Sequence, residues 1–151
     1  MVSMALDRLN STSLVLNRRR VTAPTALGYT LPDSGAAAMT FAELVAMKCK
    51  ALKGPQHALD RERIDALLPQ LPGWKLGPQA GDVRKDFKFP DFSKALAFVN
   101  ALGWIAEREN HHPDLELGWG RCQVRFSTHD VGGISLNDFI CAAKTEALIA
   151  D

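Results

Sequence analysis

Apolar residues recur at helical spacing in three stretches of the chain and alternate with polar ones in others, with glycine and proline punctuating the changes. From Ala58 the pattern becomes regular: Asp60 stands where a helix cap belongs, and Ile64, Leu67, Leu68 and Leu71 follow at helical intervals until Pro69 and Pro72-Gly73 stop them. Trp74–Leu76 opens an extended segment. Gly77-Pro78 and Gly81-Asp82 then form a turn region before Val83–Phe89, where Lys85, Phe87 and Phe89 fall on one side and Arg84, Asp86 and Lys88 on the other. This is the pattern of a hairpin. The longest helix is expected to start at a Ser93 cap, to bury a stripe through Leu96, Val99, Leu102 or Gly103, and Ala106, and to end near Asn110, because Pro113 prevents continuation. Leu115–Trp119 and Gln123–Thr128 read as a second strand pair around Gly120, with Cys122, Val124, Phe126 and Thr128 sharing one parity. After Gly132-Gly133, Ser135-x-x-Asp138 resembles a capping box ahead of Phe139, Ile140, Ala143 and Leu148, so a last helix runs to the C-terminus. The order helix, two strands, helix, two strands, helix predicts an α+β domain: a four-stranded antiparallel sheet with three helices packed on one face.

Residues 1–38 break this regularity. They carry Arg8, Arg18, Arg19 and Arg20 against Asp7 and Asp33, with many Ser, Thr and Ala and little apolar periodicity. They read as a disordered N-terminal extension, with two further origins open: an over-extended reading frame whose true start is Met39, or an organellar transit segment. The folded domain is expected over 39–151. The 151 residues suit one domain, and a hydrophobic content of 46% is enough for a core. No run reaches the ~18 apolar residues of a membrane span, since the richest, Ala95–Ala106, is interrupted by Asn100 and Gly103. A net charge of +1 provides no field for gathering nucleic acid or an anionic membrane, so neither is an expected partner. Three cysteines without C-x-x-C spacing argue against a disulfide scaffold or zinc ribbon and suit a reducing, cytoplasmic setting, or an organelle if 1–38 is a transit peptide.

Of four histidines, His111, His112 and His129 lie at the ends of predicted elements. Imidazole both gives and takes a proton near neutral pH, so this grouping suits general acid–base work. A metal site is disfavoured by spacing, because adjacent side chains point apart and no H-x-x-x-H or H-E-x-x-H pairing occurs. Glu107, four residues before His111, either orients that ring or is a solvated helix-end acid. Asp138 is explained by capping alone. Trp74 and Trp119 either wall a flat heterocycle or pack in the core.

The string Glu107-x3-His111-His112-Pro113-x5-Trp119-x9-His129-x8-Asp138 resembles the active-site signature of the pterin-4a-carbinolamine dehydratases. Leu67–Trp74, Phe98–Asn100, Thr128–Asp130 with Gly132-Gly133, and Asn137–Ala143 resemble bacterial members in particular. The resemblance runs from about Met39 to the C-terminus. It implies the same α+β fold, a homodimer or homotetramer, and loss of water from 4a-hydroxytetrahydrobiopterin to give quinonoid dihydropterin, recycling the cofactor of aromatic amino-acid hydroxylases such as phenylalanine hydroxylase. Elimination from a carbinolamine needs one proton delivered to the hydroxyl and one removed from nitrogen, which two imidazoles supply without metal or organic cofactor. His111 and His129 are expected as the pair, with His112 and Pro113 positioning the pterin. Trp74, Trp119, Thr128, Asp130, Asp138 and Glu107 complete the expected substrate-binding set, and Asp138 or Glu107 is also expected to orient a histidine beside any structural role. Animal relatives also serve as dimerisation cofactors of a homeodomain transcription factor, which leaves a protein-binding module as the alternative function.

Overall fold

The computed structural model describes residues 39–150; the expectations for 1–38 lie outside that range. Four helices and four strands follow in the order α1 Phe41–Ala46, α2 Arg61–Leu67, β1 Lys75–Leu76, β2 Val83–Lys88, α3 Phe92–Glu109, β3 Asp114–Gly118, β4 Arg121–Phe126 and α4 Leu136–Ala147. The strands form one antiparallel sheet in the order β1-β2-β4-β3. The two predicted hairpins therefore meet along β2 and β4, where Val83 stands opposite Phe126 and Phe87 opposite Cys122.

Alternation decides which face is covered. Val83, Phe87, Cys122, Val124 and Phe126 are buried beneath the helices. Their neighbours Arg84, Asp86, Lys88, Arg121, Gln123 and Arg125 share the opposite face, where Asp86 accepts a hydrogen bond from Gln123 and Glu116 pairs with Arg125. Lys85 belongs to the covered side by parity and pairs there with Glu146 of α4 at 2.7 Å.

Three local expectations shift. The cap of α3 is Asp91, whose carboxylate accepts the Lys94 N–H at 2.8 Å, and not Ser93. Starting the helix there turns Ala95, Phe98, Leu102 and Ala106 inward. Leu96 is thereby left 40% exposed and Gly103 exposed. The Pro69 ring ends α2 as an α-helix at Leu67, and one 3-10 turn carries the chain on to Gln70. A short helix that the periodicity did not indicate, α1, begins with a reciprocal Thr40–Glu43 capping box and buries Leu44 completely against α4. Together with the segment that follows, α1 covers the outer side of α4. That helix is consequently buried all round from Leu136 to Ala143. No helix among the described residues is long and apolar enough to cross a membrane.

Candidate active site

Three chain segments meet at one corner of the domain. The first leaves α3 through Asn110, which adopts the left-handed conformation (φ 50°, ψ 43°) while the His111 N–H closes back on the Ala106 carbonyl. This reversal points the chain away from the helix axis and delivers His111 to the interior. The second is the end of β4, where Thr128 continues the inward parity of Val124 and Phe126 and is fixed by an isolated bridge to Gly133. The third is the start of α4, where Ser135 and Asp138 form the anticipated capping box.

Asp138 is fully buried, and both of its carboxylate oxygens have partners. One carboxylate oxygen lies 2.6 Å from His111 Nε2. The other accepts the Ser135 backbone N–H at 2.7 Å and the Thr128 hydroxyl at 2.8 Å. Ser135 and Thr128 hydroxyls are themselves 2.7 Å apart. A carboxylate that accepts at both oxygens assigns the His111 proton to Nε2, which leaves Nδ1 as the ring atom able to exchange a proton. Capping alone thus does not account for Asp138: the same group starts α4 and holds His111. Among the described residues no buried side-chain polar atom lacks a partner, so the network is closed.

The His111 ring stacks on Phe126 at 5.9 Å and an interplanar angle of 14°, and Phe126 stacks in turn on Trp74 at 6.1 Å. Trp74 sits in the core behind Phe126, with its indole N–H donated to Glu146 at 3.0 Å. Its connection to His111 runs through Phe126. His112 faces outward and pairs with Glu107 at 3.1 Å, both groups being exposed, so Glu107 reaches the second imidazole and not the first. His129 follows Thr128 directly and is exposed at the start of a 3-10 turn, as is Asp130, whose carbonyl accepts the Gly54 N–H. Pro113 is half-buried beside His112. Trp119 is 77% exposed in the β3–β4 turn, at the far end of that hairpin from His111–Pro113.

Two concavities of about 280 and 360 Å³ lie elsewhere, one walled by α1, α3 and α4 and the other by residues from Asp65 to Trp74. Neither is lined by a histidine. Among the described residues no three His, Cys, Asp or Glu side chains are grouped so as to hold a metal ion.

Glu109, on which the sequence reading is silent, and Asn137, named there only within the family resemblance, brace the corner from behind. Glu109 accepts the Cys49 N–H at 2.9 Å and the Lys48 ammonium at 2.9 Å, with Lys144 3.4 Å away. Burial alone would raise its carboxyl, but the Cys49 N–H and the two lysines outweigh it and hold the group below the ordinary glutamate range. Asn137 takes the Lys50 N–H and returns its own amide to the Lys50 carbonyl. A signal for Glu109 does exist: it continues the Phe98, Leu102, Ala106 stripe by three residues, which places a carboxylate on the core side of α3.

In this small α+β domain a buried carboxylate, Asp138, anchors the His111 imidazole at the junction of a helix end, a strand end and a helix start. Residues 57–148 match the family model described as pterin 4 alpha carbinolamine dehydratase, and the chain belongs to that family. It is 54% identical over 105 residues to the protein named "Putative pterin-4-alpha-carbinolamine dehydratase" in Stenotrophomonas maltophilia (strain K279a), covering 70% of this chain and 90% of that one. A protein of the same name in Xanthomonas oryzae pv. oryzae (strain PXO99A) is 56% identical over 100 residues, covering 66% of this chain and 85% of the other. The crystal structure of a transcriptional coactivator/pterin dehydratase from Brucella melitensis superimposes with a TM-score of 0.60 at 29% identity, covering 62% of this chain and 99% of that one.

Proposed function

We propose that the protein dehydrates 4a-hydroxytetrahydrobiopterin, or a closely related tetrahydropterin carbinolamine, to the quinonoid dihydropterin. The observation that carries this reading is the buried Asp138–His111 pair, joined through Thr128 to the segment bearing His129, in a chain of this family. Asp138 keeps His111 in one tautomer and stabilises the imidazolium that forms when the ring takes a proton. His129 is the second proton carrier, exposed on the neighbouring segment. One imidazole protonates the departing hydroxyl while the other removes the proton from the ring nitrogen. The C–O pair leaves as water, the nitrogen pair forms the C=N bond, and no electrons are exchanged with a third species. His112, held by Glu107, and Pro113 present the outward edge of the corner to the pterin, while Asp130 and Trp119 are the more distant members of the binding set. The reaction recycles the cofactor of an aromatic amino-acid hydroxylase, of which phenylalanine hydroxylase is the expected one, in the cytoplasm. The chain works as a homodimer or homotetramer.

The test is the decay of synthetic carbinolamine followed by ultraviolet absorbance. His111→Ala and His129→Ala are each expected to slow catalysed breakdown about 10²–10⁴-fold. Unchanged rates in folded variants reject the pair. A second reading, a protein-binding module acting as a transcriptional cofactor, is favoured by the double description of the Brucella relative. Absence of any dehydratase activity, with a transcription factor co-purifying, selects it.

A further inference from the structure

The segment after α1 runs along the outside of α4 as a strap. Lys48 and the Cys49 N–H bind Glu109, two residues before His111, and Lys50 is bonded in both directions to Asn137, next to Asp138. Between these anchors the Cys49 sulfur lies 3.4 Å from the sulfur of Cys141, one helical turn beyond Asp138. Cys49 is half-buried and reachable from solvent, whereas Cys141 is fully buried.

We infer that Cys49 and Cys141 are a modification site for peroxide, joined by oxidation into a reversible disulfide that pins the strap to α4. Covalent closure needs the sulfurs to approach from 3.4 Å to about 2.05 Å, a shift that falls to the side chain of Cys49, a residue that belongs to no helix or strand. The chemistry balances in two steps. The Cys49 thiol is oxidised by one peroxide to a sulfenic acid, with release of one water; the Cys141 sulfur then attacks the sulfenic sulfur, loses its proton and expels a second water as the S–S bond forms. Cys49 is the entry point by exposure. The hydrogen bond with Cys49, followed by burial, holds the Cys141 thiol well above its ordinary range, so it waits as a thiol until its partner is activated. Cys122, the third cysteine of the chain, is sealed in the sheet and serves as an internal control. Because the strap holds the residues flanking both His111 and Asp138, the bond stiffens the frame of the corner without consuming any donor to Asp138.

The experiment uses the full chain treated with dilute hydrogen peroxide, then denatured, alkylated with iodoacetamide and weighed. The expected product is monomeric, about 2 Da lighter before alkylation, with a single alkylated thiol at Cys122 and a cross-linked peptide joining Cys49 to Cys141. Dithiothreitol restores three reactive thiols. The oxidised chain melts on the order of 5–10 °C higher than the reduced one. Cys49→Ser, a change on the half-buried strap, abolishes the mass loss and the shift, and Cys141→Ala does the same if it folds. Three alkylated thiols after peroxide, a Cys49 carried to the sulfinic acid without cross-linking, or bonds to Cys122 or between chains overturn the inference. The readout is thiol chemistry and melting, so its failure leaves the dehydratase assignment standing, and loss of dehydratase activity leaves it untouched.

Discussion

A single carboxylate organises the corner because its two oxygens serve different elements. Asp138 satisfies the Ser135 N–H at the start of α4 with one and His111 with the other, and in a buried setting each of these bonds is costly to leave unmade. Glu109 does similar work one layer back, and its charge has a testable consequence. Its folded-state carboxyl is held below the unfolded value of about 4.5, so the stabilisation is complete above that pH and is lost as pH falls through the folded value. Wild-type protein is therefore expected to lose melting temperature between pH 5 and pH 3 more steeply than Glu109→Gln. At pH 7 the variant is less stable by about 1–3 kcal/mol, because the Cys49 N–H and two lysines lose their acceptor charge. Thermal unfolding followed by circular dichroism across that range measures both effects; parallel pH profiles would remove Glu109 from the acid response.

At the scale of elements, the turn out of α3 aims the first imidazole. Asn110 pays little for a left-handed backbone that other residues avoid. Asn110→Ala is expected to cost about 1 kcal/mol in urea denaturation, and Asn110→Gly to stay within about 0.5 kcal/mol of wild type. Equal losses in both would show that the amide side chain, and not the backbone conformation, matters. Most of this architecture was legible in the chain. Strand parity in β2 and β4 put Cys122, Val124 and Phe126 inside, and Thr128 continues it to the network. The Ser135-x-x-Asp138 cap was visible as well. What escaped was tertiary. Asp91 and Ser93 are both good caps, and only the packing of Ala95 and Phe98 selects the first. The six residues of α1 are too few for periodicity to speak, and which ring Asp138 orients depends on a residue 27 positions away. Burial of both sides of α4 was hinted at by the unbroken apolar run Phe139–Ala143, which no solvent-facing helix would carry.

For the molecule as a whole, the outer side of α3 leaves Leu96 and Trp104 at 40% and 62% exposure, the latter with the Arg108 guanidinium 4.5 Å above its ring. The proposed homo-oligomer is expected to use this surface as its contact between copies. The double variant Leu96→Glu with Trp104→Glu is expected to reduce the mass measured by light scattering to that of one chain while leaving the far-ultraviolet dichroism unchanged. An unaltered assembly would place the interface elsewhere. The buried pair itself carries an implication for synthesis. Its acid arrives only with α4, so a growing polypeptide still short of position 138 on the ribosome has an imidazole with no anchor, and a product terminated before that residue lacks the pair.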